Sequence, residues 1–272
     1  MDTKNTISPQ RIDYVSRFDG SKDWYMLSNA GRGTDCLVSL HGHGAAGDQF
    51  FLNREEQGVK DRFALIGKLK LSVISPNLRG NAWMCPSAVN DLADILSSCR
   101  KKYGFRRYIF LSGSMGGTGA LIFAVRHPEL ADALGIAGGV TNLRRYRDFL
   151  RGGDLPIHKE ILEAIESHYD EESYDLHDVS AQAEKLAMPL FFAHGESDRL
   201  MPVTEMYDLR DRIGNRTGTV FRAIPDGDHN SPSSCFREML EYLVKESAPE
   251  TRKNCIPHRD SGALKTPGPS PV

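Results

Sequence analysis

One segment constrains the fold more than any other: residues 111–121, LSGSMGGTGAL, which follow an apolar run and precede a helical pattern. So many glycines let other segments approach the backbone closely. A serine at the tip of a strand-to-helix turn, with small residues two positions to either side, is the pattern of a nucleophile elbow. Ser114 fits it, with Ser112 before it and Gly116 after it. We predict a strand, a sharp turn and a helix here, with Ser114 as candidate nucleophile.

Two other interpretations of this segment fit less well. Ser112 would have the large Phe110 two positions before it. A phosphate-binding loop needs either the lysine of a P-loop or a G-x-G-x-x-G register in an early βαβ unit, and the segment has neither. The elbow itself departs from the usual G-x-S-x-G, because serine stands in place of the first glycine.

The rest of the chain predicts an α/β fold. Apolar runs alternate with helical patterns, which is typical of parallel βαβ units covered by helices on both faces. A more polar N-terminal stretch predicts an antiparallel hairpin at the sheet edge. The predicted parallel strands are 35–42, 70–77, 107–113, 133–139, 188–195 and 218–225.

The domain organisation follows from two segments that break this alternation. Residues 1–246 are expected to form one domain, interrupted at about 141–185 by a small cap over the sheet edge. Within the cap, Pro156 is expected to begin a helix with an apolar face at Ile161 and Ile165, near the mouth of the substrate pocket. Residues 247–272 are rich in proline and polar residues, and we expect a disordered tail.

A serine nucleophile needs a base, and the base needs an orienting acid. Asp198 follows the predicted strand 188–195 and His229 follows the predicted strand 218–225. Strand ends in a parallel sheet meet at one edge, so we expect both beside Ser114. Asp226 and Asp228 are alternative acids, and Asp198 could instead cap the helix after Pro202.

The third requirement is a pair of backbone amides for the developing oxyanion. Met115, after the nucleophile, is expected to supply one and His43, in the glycine-rich loop after the first predicted parallel strand, the other. A metal pair of His41 and His43 is the alternative. A metal site needs three or more protein ligands, and no second cluster is present, so we expect no metal and no cofactor.

Taken together, five motifs resemble the α/β-hydrolase superfamily, most closely its compact esterases and the catalytic domain of the prolyl oligopeptidase family. They are LHGHG, SPNLRG, SGSMGG, HGESDRLMP and GDH, in that order across about residues 30–245. The resemblance implies an eight-stranded, mostly parallel sheet and a Ser114–Asp198–His229 triad. It also supports the two oxyanion amides and suggests Trp83 as a substrate-binding residue, although plain packing is an equal alternative.

The expected function is hydrolysis of small carboxylic esters, with short acyl chains favoured, through an acyl-enzyme. A small peptidase or amidase and an inactive binding module are the alternatives. The net charge of about −2 does not indicate the basic surface that nucleic-acid binding requires. No apolar stretch is long enough to span a membrane. The N-terminus has no signal-peptide pattern and the five cysteines form no CxxC pair, so we expect a cytoplasmic protein.

Overall fold

One sheet organises the computed structural model, which describes residues 9–28 and 33–249. The strand order is β1-β2-β4-β3-β5-β6-β7-β8. β1 and β2 pair antiparallel, β2 pairs antiparallel with β4, and the remaining neighbours are parallel. The strands are β1 (Gln10–Val15), β2 (Lys22–Ser28), β3 (Asp35–Val38), β4 (Ser72–Pro76), β5 (Arg107–Gly113), β6 (Ala133–Ala137), β7 (Leu190–Gly195) and β8 (Thr219–Ile224). The predicted α/β class with a mostly parallel sheet is confirmed.

Helices cover both faces of the sheet. Side chains of α1 and α8 share one core cluster, whereas those of α2, α3, α5 and α7 share the other. None of the helices within the described residues has the length and apolar character that crossing a bilayer requires. The helices are α1 (Gln57–Lys68), α2 (Pro86–Tyr103), α3 (Met115–Arg126), α4 (Leu143–Arg151), α5 (Pro156–Glu166), α6 (Glu171–Leu176), α7 (Thr204–Ile213) and α8 (Phe236–Glu246).

Alternation along the central strands explains why they are apolar throughout. In β3, Cys36 and Val38 belong to the core on the α2 and α3 face, and Leu37 belongs to the core on the α1 and α8 face. All three side chains are fully buried. A strand covered on both faces needs apolar residues at successive positions, which is the pattern that the sequence shows.

The segment between β6 and β7 is helical, and its packing differs from the expectation. Helix α5 begins at Pro156, as predicted. Its residues Ile161 and Ile165 are buried in the same core cluster as α2 and α3. We expected this apolar face at a pocket mouth. It is instead used for packing, because the remainder of 141–185 gives it a core to bury against.

A buried carboxylate fixes the start of this segment. Glu205 in α7 is 5% exposed and accepts hydrogen bonds from the amides of Thr141 and Asn142 at 2.9 and 3.1 Å, and from the Thr141 hydroxyl. The Arg145 guanidinium completes the cluster, with Nε 2.9 Å from the Glu205 carboxylate. These bonds therefore connect the residues at the start of α4 to α7.

The packed part of the chain reaches one residue past the predicted boundary at 246. Ser247 is buried, and its hydroxyl donates to the Leu243 carbonyl at 2.6 Å. The same hydroxyl accepts a bond from Arg107 at 3.1 Å. Most of the predicted tail, residues 250–272, lies outside the described residues.

We expect Glu205→Ala to lower the free energy of unfolding by about 2–3 kcal/mol, because a buried amide, a half-buried amide and a buried hydroxyl lose their acceptor. Denaturant unfolding followed by circular dichroism measures the change. The exposed Asp211 on the same helix, replaced by alanine, is the control and should cost about 0.5 kcal/mol or less. Equal effects of the two substitutions would contradict this account of the cluster.

Candidate active site

Ser114 lies between β5 and α3, in a backbone conformation that residues other than glycine rarely adopt. Its φ is 58° and its ψ is −131°. Such a conformation costs on the order of 1–3 kcal/mol and persists only where the surroundings enforce it. Here the Ser114 amide donates to the Gly138 carbonyl at 2.9 Å, and the Ser114 carbonyl accepts from the Thr118 amide at 3.0 Å. The predicted strand, turn and helix are therefore present, with the serine at the turn.

The glycines around Ser114 are needed for close approach. A Cβ at Gly116 would overlap the Leu40 carbonyl, and a Cβ at Gly117 would overlap the Gly138 carbonyl. The start of α3 therefore lies directly against the backbone that follows β3 and β6. Any side chain at these two positions would move the helix away from the sheet, and Ser114 with it.

Ser112 does more than provide a small side chain. It is buried, and its hydroxyl accepts a hydrogen bond from the Leu40 amide at 2.9 Å. A glycine at this position would leave that buried amide without its acceptor. The departure from G-x-S-x-G therefore has a physical role, which is to connect the elbow to the end of β3.

The structure brings Ser114, His229 and Asp198 together at one edge of the sheet. His229 Nε2 lies 3.0 Å from the Ser114 hydroxyl, and His229 Nδ1 lies 2.8 Å from Asp198 Oδ2. An ionised carboxylate can only accept, so Nδ1 carries the proton and Nε2 is the acceptor for the hydroxyl. This is the arrangement in which the imidazole can take the serine proton.

Asp198 is held as a buried carboxylate. Burial by itself raises the pKa of this group, but hydrogen bonds from His194 and His229, the charge of His229 and the Met201 amide act against it and hold the pKa well below its usual range. Its other oxygen accepts from the amides of Leu200 and Met201 at 2.8 and 3.0 Å. The carboxylate therefore stays ionised and fixed in orientation.

His194 is a residue that the sequence analysis did not select. It is fully buried, with Nε2 3.0 Å from the Met201 carbonyl and 3.4 Å from Asp198 Oδ2. The second contact places it on the same carboxylate oxygen that His229 contacts. Its position at the end of β7, four residues before the acid in HGESD, could have identified it.

The alternative acids have other positions. The Asp228 carboxylate accepts from the amides of Asn230 and Ser231 at 3.0 Å each, and from the Ser231 hydroxyl at 2.8 Å. These bonds shape the turn that carries His229. Of the candidate acids, it is Asp198 that the structure places against the imidazole.

The loop after β3 is placed by its own hydrogen bonds. The amides of Gly42 and Gly44 donate to the side chains of Gln49 and Asn81 at 2.9 and 2.8 Å. Within the described residues, the intervening His43 amide has no protein acceptor. The Met115 amide, in the first turn of α3, likewise has none there, so both candidate oxyanion amides are able to donate a hydrogen bond to a ligand oxygen.

The two histidines of this loop make different contacts. His41 places Nδ1 2.9 Å from the Gly42 carbonyl and Nε2 2.8 Å from the Asn77 carbonyl. His43 Nδ1 accepts a hydrogen bond from the Trp83 indole at 3.3 Å, and burial lowers the pKa of His43, which favours this neutral acceptor. Among residues 9–28 and 33–249, no three potential ligands are grouped closely enough to hold a metal.

Trp83 does not line the cavity at Ser114, in contrast to its expected contact with substrate. It is 1% exposed and packs between the rings of His43 and Tyr146. Its backbone has a φ of 48°, and the Tyr169 hydroxyl donates to its carbonyl at 2.8 Å. Trp83 therefore packs against the loop after β3 at His43, which carries one of the candidate oxyanion amides.

A cavity of about 960 Å³ opens beside the candidate residues. Ser114 and His229 lie on its wall, together with residues of α1, of the chain just before α1, and of the start of α8. Its volume is within the range of small-molecule sites. Neither Ile161 nor Ile165 is part of its wall, so the two expected apolar contacts from α5 are absent from the described cavity.

Known proteins that are similar to this chain include several hydrolases. No protein-family profile matches the chain. A curated 2-hydroxy-6-oxononadienedioate/2-hydroxy-6-oxononatrienedioate hydrolase from Paraburkholderia phymatum is 30% identical over 134 residues, which are 47% of this chain and 44% of that protein. The chain therefore matches less than half the length of that relative.

Solved structures match over most of the chain. A 2,6-dihydroxy-pseudo-oxynicotine hydrolase aligns with a TM-score of 0.66 and 19% identity, covering 90% of this chain and 69% of its own. An S-formylglutathione hydrolase from Agrobacterium tumefaciens aligns with a TM-score of 0.64 and 14% identity, and the alignment covers 89% of this chain and 97% of that protein. An esterase from Pyrococcus furiosus aligns with a TM-score of 0.61 and 15% identity, and the alignment covers 92% of this chain and 94% of that protein. At these identities the likeness shows a shared fold.

We expect Ser112→Ala to lower the free energy of unfolding by about 1–2 kcal/mol, because the buried Leu40 amide loses its acceptor. Ser75→Ala is the matched control, since the Ser75 hydroxyl is buried without a hydrogen-bond partner among the described residues. Chemical denaturation of both variants measures the difference. If Ser75→Ala proves as costly as Ser112→Ala, the proposed role of the Ser112 hydroxyl is excluded.

Proposed function

The chain has the α/β-hydrolase fold, and on that fold we propose that it is a serine hydrolase that cleaves carboxylic esters. The observation that carries the proposal is the position of the His229 ring, 3.0 Å from the Ser114 hydroxyl and 2.8 Å from the Asp198 carboxylate. A base between a hydroxyl and a carboxylate is what nucleophilic catalysis by serine requires.

In the proposed first half-reaction, Ser114 Oγ attacks the ester carbonyl carbon while its proton passes to His229 Nε2. The carbonyl oxygen becomes an oxyanion held by the amides of His43 and Met115. When the tetrahedral intermediate collapses, the bond to the alcohol oxygen breaks and Nε2 returns the proton to that oxygen. The alcohol leaves, and the acyl group remains on Ser114.

Water completes the reaction in the second half. His229 removes a proton from water as the water oxygen attacks the acyl carbon, and the same two amides hold the second oxyanion. Collapse breaks the bond to Ser114 Oγ, which takes back the proton from Nε2. Asp198 keeps its charge throughout and stabilises the imidazolium that forms twice per turnover.

The proposal includes a small-molecule substrate, no cofactor and a reducing, cytoplasmic location. Support for the location comes from the cysteines within the described residues, all of which are buried free thiols: Cys36, Cys85, Cys99 and Cys235. Support for the substrate size comes from the cavity of about 960 Å³ beside Ser114.

We expect Ser114→Ala to reduce kcat on p-nitrophenyl butyrate by about 10³-fold or more, the usual effect of removing a triad nucleophile. A fluorophosphonate probe should add its mass to the wild-type protein at Ser114 and fail to label the variant. Ser112→Ala, assayed below its melting temperature, is the control and should still be labelled at Ser114. Labelling of another serine, or turnover that survives in Ser114→Ala, would refute the assignment.

Esters should be cleaved faster than matched amides. An amine is a poorer leaving group than an alcohol and makes a greater demand on proton transfer from His229, so kcat/KM for p-nitrophenyl butyrate should exceed that for the butyryl p-nitroanilide by on the order of 10²-fold. Acetyl, butyryl and octanoyl esters test the preference for short chains in the same assay. Anilide hydrolysis at the ester rate would favour the peptidase alternative.

A further inference from the structure

Arg62 is a charged residue on the cavity wall that the proposed reaction does not use. It belongs to α1 and lines the same cavity as Ser114 and His229. Among the described residues, no carboxylate lies within 4.0 Å of its guanidinium and none accepts a hydrogen bond from it. Arg237, on the same wall, differs because its guanidinium lies 3.9 Å from Glu241.

Two aromatic rings hold the Arg62 guanidinium in place. Its central carbon lies 5.2 Å from the centre of the Phe50 ring and 5.4 Å from that of the Phe236 ring. These rings belong to the short helix Gln49–Phe51 and to the start of α8, so three elements meet at this side chain. Cation–π contacts orient the planar group but leave its five N–H donors available.

The half-buried position makes this charge costly unless it has a partner. Burial lowers the pKa of Arg62, and the nearby Glu56 opposes that change in part, yet a guanidinium remains protonated in proteins. A cation that is partly removed from water, and that has no carboxylate at ion-pair distance among the described residues, gains most from an anion brought by a ligand.

The acidic residues of the same wall limit which anion fits. Glu56 and Asp61 line the cavity, but both are exposed, and Asp61 accepts a hydrogen bond from Gln57 at 2.8 Å. Water screens these exposed charges more than it screens the half-buried Arg62. Their repulsion still disfavours a doubly charged group such as a phosphate monoester dianion, whereas a single carboxylate matches the planar fork of one arginine.

We propose that Arg62 binds a carboxylate of the substrate, so that the enzyme's preferred substrates are esters that carry a free carboxylate. This inference rests on the proposed ester hydrolysis, because it assigns the substrate class of the same cavity. Apolar side chains of the cavity wall, among them Val59, Leu65 and Met239, would contact the carbon chain between the ester and the carboxylate.

The experiment compares esters of equal shape and different charge. Monoethyl adipate carries a carboxylate where ethyl 6-methylheptanoate carries an isopropyl group, and acid release measures hydrolysis of both. Acetate esters of the corresponding ω-hydroxy acid and its isopropyl analogue place the same contrast on the alcohol side. In one of these pairs, wild-type kcat/KM should favour the anionic ester by about 10-fold or more, the size of a charged hydrogen-bond pair.

Arg62→Gln keeps a planar polar group without the charge, and it should bring the anionic-to-neutral ratio to within about twofold of one. Arg237→Gln removes an exposed arginine that already has an acidic neighbour, and it should keep the wild-type ratio. Circular dichroism and melting temperature verify that both variants fold. A wild-type ratio near one in both pairs, or a preference that survives in Arg62→Gln or is lost in Arg237→Gln, would overturn the proposal.

Calorimetry gives a readout that needs no turnover. Monoethyl adipate should bind to Ser114→Ala about 10-fold more tightly than to Ser114→Ala with Arg62→Gln, and equal affinities would count against Arg62. If wild type hydrolyses no ester but this difference is present, the ester hydrolase proposal fails and the carboxylate site stands. If neutral and anionic esters are hydrolysed equally well, the carboxylate-site proposal fails and the ester hydrolase proposal stands.

Discussion

The left-handed backbone of Ser114 is the constraint on which the rest of the site depends. A serine does not adopt a φ of 58° without enforcement, and the enforcement comes from chain segments on both sides. The Gly138 carbonyl holds the Ser114 amide after β6, and the Leu40 carbonyl lies where a Cβ at Gly116 would stand. The candidate nucleophile is therefore positioned by the distance between α3 and the sheet.

The loop after β3, which carries the candidate oxyanion amide of His43, depends on a second strained segment, residues 77–84. Leu78, Arg79, Trp83 and Met84 all have positive φ values. Hydrogen bonds join this segment to the loop at four points: the Asn77 carbonyl at His41, the Asn77 side chain at Gly47, the Asn81 side chain at Gly44, and the Trp83 indole at His43. Arg79 in turn is held by buried Asp91, with 2.8 Å between their charged atoms. The two strained turns therefore set the relative positions of Ser114 and the candidate amide donors.

Much of this site could be predicted from the sequence because its parts lie at the ends of strands. Strand ends are recognisable as apolar runs, and the topology of a parallel sheet brings them to one edge. Ser114, Asp198 and His229 were predicted to lie together by this argument, and their side chains are in contact. The fold class needed only the alternation of apolar runs and helical patterns.

The errors and omissions have a common cause, which is that a pattern does not give the direction of a side chain. Trp83 and Ile161 are apolar residues near the site, and both are used for packing. Arg62 did not stand out in the sequence, because one arginine in a charged helix resembles any other until its place on the cavity wall is known. His194 was missed because a histidine after a strand is recognisable as a support only when its distance to Asp198 is known.

The Tyr169 hydroxyl contacts the Trp83 carbonyl, so the segment between β6 and β7 packs against residues 77–84. The helices of this segment therefore differ in position from a lid. No residue of 141–185 lines the cavity, whereas α1, α8 and the chain before each contribute to its wall. For the proposed hydrolase, catalytic geometry and substrate choice would therefore be encoded in separate stretches of sequence. Evolution could exchange the wall residues of α1 and α8 for a new substrate while the helices after β6 kept the catalytic geometry unchanged.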